Sequence, residues 1–152
     1  MNYWLIKTEP GCYSIDDMKN DGTIAWEGVR NYQARNYMRD GMKPGDKAIV
    51  YHSSVVPPAA VGVAEVASEP YPDQSAFDPK DEHFDSKSDP QKPTWILVDF
   101  TYLSTFKREV SLDEMKADPR LQGMVVTQRG SRLSVQPVSE EHFKTVCELG
   151  AN

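Results

Sequence analysis

Short apolar runs alternate along this chain with polar breaks that carry Gly, Pro or a helix-capping residue. Tyr3 to Thr8 is an aromatic and aliphatic run ended by Glu9-Pro10-Gly11, and it reads as a first strand. Ser14-Ile15-Asp16-Asp17 has the form of a capping box, so a short helix is expected there, closed by Asn20-Asp21-Gly22. From Asn31 to Asp40 the residues Ala34, Tyr37 and Met38 fall at i, i+3 and i+4, the spacing of one buried helical face. Asn31 is the expected cap, and Arg35 and Arg39 share another face one turn apart. Lys43-Pro44-Gly45-Asp46 sets Pro and Gly at the centre of a type II turn feeding a strand from Lys47 to Ser53. Ala60 to Ala67 reads as another strand. Gly62 and Ala64 make one of its faces small, so a strand or helix should approach it closely.

The second half is less regular. Between Pro70 and Pro93 the composition turns to Asp, Pro, Ser and Lys, which reads as a long surface excursion with Phe77, His83 and Phe84 as isolated anchors. Trp95 to Leu103 is nearly continuous apolar sequence, expected as a central strand covered on both faces. Ser111-Leu112-Asp113-Glu114 is a second capping box, opening a short helix near Met115. Gln122 to Val138 should hold the last strands, with Gln128 to Arg132 as a polar turn between them. Ser139 would cap a final helix whose buried stripe is Phe143, Val146 and Cys147, with Gly150 past its end. Strands interleaved with short helices predict an α+β fold: a small mixed sheet closing into a partial barrel, helices outside, as one domain over residues 1–152.

Composition narrows the function classes. With 39% hydrophobic and 26% charged residues, the chain has the make-up of an ordinary soluble globular protein. A net charge of −6 argues against a general duplex-binding protein, which gains its affinity by neutralising many phosphates. It leaves open a pocket for a single base. Cys12 and Cys147 are too few for a disulfide framework, and neither they nor the three scattered histidines have metal-ligand spacing, so no metal or other cofactor is expected. Walker and Gly-x-Gly-x-x-Gly patterns are absent, which disfavours nucleotide hydrolysis. The start, Met1-Asn2-Tyr3-Trp4, has neither the basic residues nor the long apolar run of a leader or membrane span.

Against that background Trp26 to Asn36 stands out: a Trp, a Tyr, two Arg, two Asn and a Gln around Gly28-Val29, with Glu27 its one acidic residue. Such a run is a poor core and a good pocket for a flat ring with hydrogen-bonding edges. Trp26 is a core tryptophan or a stacking platform, and Gly28-Val29-Arg30-Asn31 presents backbone amides just before a helix. Arg30 is the arginine best placed for the pocket, while Arg35 and Arg39 belong to the rim or to solvent. Lys7-Thr8-Glu9 ends the first strand with a cation, a hydroxyl and a carboxylate. Glu9 could pair locally, or accept from the exocyclic amino group of a base. His52 and Ser53 are adjacent on a strand and so face opposite ways, which rules them out as a nucleophile–base pair with each other. One of them should turn inward to bond a ligand or the fold. His83 and His142 read as surface residues and Asp99 as structural.

Taken together, these blocks resemble the EVE domain. The likeness rests on Tyr3 to Pro10, Trp26 to Asn36, Tyr51-His52-Ser53, Tyr71-Pro72-Asp73, Pro93-Thr94-Trp95 and Arg132-Leu133-Ser134-Val135-Gln136-Pro137-Val138, in that order along essentially the whole chain. The resemblance implies a PUA-like mixed β pseudo-barrel flanked by short helices, related to the YTH readers of methylated RNA. It implies a non-catalytic reader that binds a modified base, cytosine or adenine, flipped from DNA into an aromatic-lined pocket. The expected ligand-binding residues are Lys7, Thr8, Glu9, Trp26, Gly28, Val29, Arg30, Asn31, His52, Ser53, Arg132 and Ser134. A competing expectation comes from PUA-like relatives of the ASCH type, which resemble small hydrolases of nucleosides or RNA. Lys7, Glu9 and His52 would then be the acid–base set. A monomer is expected. No basic extension precedes Met1, which favours a bacterial, cytoplasmic setting; in a eukaryote the nucleus would be expected.

Overall fold

The computed structural model describes residues 1–129 and 133–151. Its elements are β1 (Tyr3–Thr8), α1 (Ile15–Asp21), β2 (Thr23–Ala25), α2 (Tyr32–Asn36), β3 (Lys47–His52), β4 (Ala59–Val66), β5 (Tyr71–Pro72), β6 (Ile96–Leu97), β7 (Asp99–Ser111), α3 (Leu112–Ala117), β8 (Val135–Val138) and α4 (Glu140–Ala151). Six strands form one sheet in the order β2-β7-β4-β3-β1-β8, and β5 and β6 pair in a small separate ribbon. β1 and β3 run parallel; the other pairings are antiparallel. The sheet curls into a half-barrel with the helices packed outside it.

Both faces of the central strands are buried, so successive side chains feed two separate cores. Trp4 and Ile6 of β1, with Ala48 and Val50 of β3, meet Ile15 and Met18 of α1 and Ala34 of α2. Leu5, Ile49 and Tyr51 point the other way, onto Met115 of α3 and Val146 of α4. Near-continuous apolar sequence in β1 and β3 follows from this double coverage. A β-carbon on Gly62 would run into the Ser104 carbonyl of β7 and lie 3.0 Å from Ile15, so strand and helix both crowd that face as expected.

Local signals act where they were read. Ser14 caps α1 with both halves of a capping box, and Asn31 accepts from the Ala34 amide at the start of α2. Gly45 takes φ +97° behind Pro44, and the Asp46 amide closes that turn on the Lys43 carbonyl. Asp46 is buried where its carboxylate accepts from Trp4 Nε1 and the Asn2 and Lys43 amides.

Other expectations need correction. The helix from Asn31 to Asp40 is α2 followed by a wider π-turn at Tyr37–Gly41, which brings Gly41 against the Trp4 ring. The strand expected over Trp95 to Leu103 breaks at Val98, and β7 then continues for 13 residues with Leu103 exposed. Its charged second half, Lys107 to Glu109, lies in an irregularity of the β4 ladder, between the pairs Gly62–Thr105 and Ala60–Val110. Gln122 to Val138 contains a single strand, β8, among the described residues, preceded by a 3-10 turn at Val125–Thr127. Gly150 lies inside α4, where the Phe106 ring occupies the place a side chain would take. The excursion from residue 70 to 93 is anchored by Asp73, Ser75 and Ala76, while Phe84 stays exposed. No helix among the described residues is long and apolar enough to cross a membrane.

Candidate functional site

β1 ends beside the β2–α2 loop, and the two frame a cleft of about 380 Å³. Lys7, Thr8, Glu9, Trp26, Gly28, Val29, Arg30 and Ser134 all line it, so residues from three distant parts of the chain meet there. Cys12, Glu27, Glu82 and His83 line it as well. An adjoining cleft of about 190 Å³ shares Thr8, Trp26 and Glu27 and is otherwise walled by Tyr13, Ile24 and Ala25.

Trp26 is a core residue that also lines the cleft. Its ring is 9% exposed and packs edge-to-face on Phe100, with centroids 5.4 Å apart, and on Tyr13 at 6.5 Å. The same ring forms wall in both clefts. It is held rigidly by the core and presents a limited apolar surface to whatever enters.

Arg30 organises the loop. Its Nη1 donates to Asp73 Oδ2 at 3.0 Å and to the Val29 carbonyl, and its Nη2 to Ser75 Oγ. Both Nε and Nη2 donate to the His83 carbonyl, at 3.1 and 2.6 Å. The guanidinium also lies over the Trp95 ring, 5.4 Å from its centroid. Asp73, 1% exposed, further accepts from the Gly28 amide and from both the amide and hydroxyl of Ser75. Burial alone would raise the Asp73 pKa, but the Ser75, Gly28 and Arg30 donors outweigh it and hold the carboxyl below its ordinary value. Arg30 is thus a brace between the pocket loop and the residue 70–93 excursion, its charge answered by Asp73.

Gly28 has φ +86°, and a β-carbon there would lie 2.5 Å from His83 Nε2. Only glycine offers both the left-handed backbone and the room for that ring. His83, expected at the surface, therefore sits in the cleft wall. Its segment has no periodicity, and the Gly28–His83 contact spans more than fifty residues, so no local signal announced it.

Three expected residues lie elsewhere. Asn31 is exposed at the start of α2, with its side-chain oxygen engaged in capping. His52 accepts the Ile15 amide on Nε2 at 3.1 Å, tying α1 to the end of β3, and burial lowers its pKa. It is not part of the cleft wall, so Lys7, Glu9 and His52 are not gathered there as an acid–base set. Ser53 extends the ladder by donating its amide to the Thr8 carbonyl. Its neighbour Ser54, at φ +56°, reaches Glu9 Oε1 at 3.4 Å. Arg132 lies outside the described residues.

Charge in the cleft is mixed. Glu9, Glu27 and Glu82 line it together with Lys7 and Arg30, and Arg30 is already paired. Burial lowers the Lys7 ammonium below its ordinary pKa, and its Nζ lies 5.8 Å from the Tyr51 ring centroid. The wall suits a neutral, flat, polar-edged ligand better than a polyanion.

The family model described as the EVE domain matches residues 2–149. The chain belongs to the EVE domain family. Thymocyte nuclear protein 1 of Gallus gallus is 40% identical over 166 residues, spanning 97% of this chain and 68% of its own. A crystal structure of a Pseudomonas putida protein superposes with a TM-score of 0.93 at 40% identity, covering 97% of this chain and 99% of that one. The human THYN1 protein, crystallised in complex with DNA containing 5-methylcytosine, superposes with a TM-score of 0.92 at 36% identity, covering 100% and 99%. Membership of the EVE family accounts for the PUA-like α+β fold and for the order of the sequence blocks that build the cleft.

Proposed function

We propose that this protein reads a modified base, and that a modified cytosine flipped from DNA occupies the cleft of Lys7 to Glu9, Trp26 to Arg30 and Ser134. The observation that carries the reading is the convergence of these segments on one cleft of about 380 Å³ in a fold shared with a protein that binds 5-methylcytosine DNA. Such a volume lies in the range of small-molecule sites and exceeds what one pyrimidine ring needs. Flipping exposes the whole base, and the pocket can then sense an added group by fit.

Each wall has a role in this reading. Trp26 supplies the aromatic surface against which the base packs. Glu9, exposed and steadied by Ser54, can accept from the exocyclic amino group of cytosine. Arg30 and Asp73 hold the Gly28–Val29 backbone in place so that no reorganisation accompanies binding. With His52 engaged by Ile15, the ring nitrogen that a hydrolytic reading requires is in use within the fold, which favours a non-catalytic reader.

The test is an affinity series on short duplexes that differ in a single base: 5-methylcytosine, other modified cytosines, N6-methyladenine and unmodified controls. Preference for a modified cytosine is expected, with the DNA recovered unchanged by mass spectrometry. Replacing the Trp26 ring by Leu should weaken the preferred duplex roughly fivefold or more. Equal binding of modified and unmodified duplexes, or turnover beyond one equivalent, would overturn the reading.

A further inference from the structure

We infer that Tyr32 and Arg35 form a second contact outside the cleft, a platform on which the nucleotide next to the flipped base stacks. The inference rests on the base-reading function proposed above. Tyr32 is 61% exposed, yet its ring is not left free. It stacks on Trp95 with centroids 5.0 Å apart and planes 29° from parallel. The Arg35 guanidinium lies over the same ring, 5.2 Å from its centroid, and Arg35 Nη1 is fixed by the Thr94 carbonyl at 2.8 Å. Trp95 is in turn held by Asp85, which accepts from its Nε1 at 2.7 Å, and by Arg30. Arg30, Trp95, Tyr32 and Arg35 therefore make one chain of ring contacts that begins in the cleft wall and ends at the surface.

Two physical arguments give this chain a ligand. An exposed aromatic side chain already locked in place loses little entropy when a base stacks on it, and base stacking on aromatic groups is tolerant of sequence. Among the described residues the cleft sets three carboxylates against Lys7 and Arg30, and Asp73 already answers the charge of Arg30, so its net charge does not favour phosphates. The strand carrying the flipped base needs cationic contacts beside the cleft, and Arg35 supplies one next to the stacking surface. Tyr32 is two residues from Arg30, so the occupant is the neighbouring nucleotide of the same strand.

The experiment compares Tyr32→Ala, Tyr32→Phe and Arg35→Gln with the wild-type chain. Each is titrated with a 5-methylcytosine duplex, with the unmodified duplex and with the mononucleotide 5-methyl-dCMP. Tyr32→Ala should weaken the modified duplex roughly fivefold or more while leaving the mononucleotide unchanged. Tyr32→Phe should bind like wild type, and Arg35→Gln should lose duplex affinity and salt sensitivity together. Unchanged duplex affinity in Tyr32→Ala, with wild-type discrimination intact, overturns the platform alone. Equal weakening of duplex and mononucleotide overturns it too, since Tyr32 would then act through the cleft. Absence of discrimination in the wild-type chain overturns the base-reading function and this inference with it.

Discussion

Replacing Asp73 by Asn tests whether a buried carboxylate holds the pocket loop. Asp73 accepts four hydrogen bonds: Oδ2 from the Gly28 amide at 2.9 Å and Arg30 Nη1 at 3.0 Å, and Oδ1 from the amide and hydroxyl of Ser75. An asparagine keeps one oxygen and presents an amide in place of the other. The better orientation turns that amide toward Ser75, because the Ser75 hydroxyl can rotate and accept. The Ser75 backbone N–H is then left without a partner in a buried site, which costs about 1–3 kcal/mol. Arg30 and Gly28 now donate to a neutral oxygen, and charge-assisted bonds are roughly twice as strong as neutral ones, so about 1 kcal/mol more is lost. Arg30 is 24% exposed, and solvent screens part of that second loss. The expected destabilisation is about 2–4 kcal/mol, or about 4–16 °C in Tm for a domain of this size.

Denaturant unfolding gives the stability change, and titration with the methylated duplex under conditions where the variant is folded gives the binding change. Both should fall, because Gly28 to Arg30 lose their shared anchor. The same carboxylate sets an acid limit. Its folded pKa lies below the ordinary 3.8, so its contribution is full above that value and disappears as pH falls through the folded one. Asp73→Asn should lack this acid dependence. A stability change below about 0.5 kcal/mol, within the ordinary surface-substitution range, would refute the claim that Asp73 braces the site.

Three further outcomes are expected. Gly28→Ala should cost about 1–2 kcal/mol from left-handed backbone strain alone, plus the clash with His83. Adding His83→Ala should recover the clash but not the strain, and no recovery in unfolding experiments would refute the contact. His52 should titrate by NMR with a midpoint below 6.5, because burial disfavours its charged form. Its folded pKa being the lower one, its contribution to stability is full above pH 6.5 and declines as pH falls toward the folded value; a midpoint above 6.5 would contradict the buried acceptor role. Duplex affinity should depend weakly on salt, with a log–log slope of about −2 to −3, since few cations among the described residues line the cleft. A slope steeper than about −5 would instead indicate a broad phosphate-binding surface.

Local instructions written in neighbouring residues were legible in the chain. The Ser14 capping box, the Asn31 cap, the Pro44-Gly45 turn and the β1 and β3 runs each depend on contacts within a few positions, and each forms where it was read. Trp26 to Arg30 could be singled out because their composition suits neither a strand nor a helix, and Lys7 to Glu9 because they close the first strand with a cation, a hydroxyl and a carboxylate. The second half of β7 was not legible: Lys107 to Glu109 bridge two stretches paired to β4, ending at Thr105 and resuming at Val110, and a polar run carries no sign of the pairing on either side of it. Gly150 read as a helix stop because glycine usually is one; only the Phe106 ring lying against it shows that it is packing space.

For the site the division is the same. The sequence by itself determined which side chains could face a flat, polar-edged ligand, and the order of its blocks named the family. Tertiary structure decided which of them meet. It gave His52 to Ile15 and Asn31 to the start of α2, it made Arg30 a brace, and it brought Asp73 and His83 from an irregular segment into the loop and wall of the cleft. Hydrogen-bonding capacity is a property of a residue, whereas the partner that uses it is set by chain paths that meet across some fifty positions, and no local pattern records those.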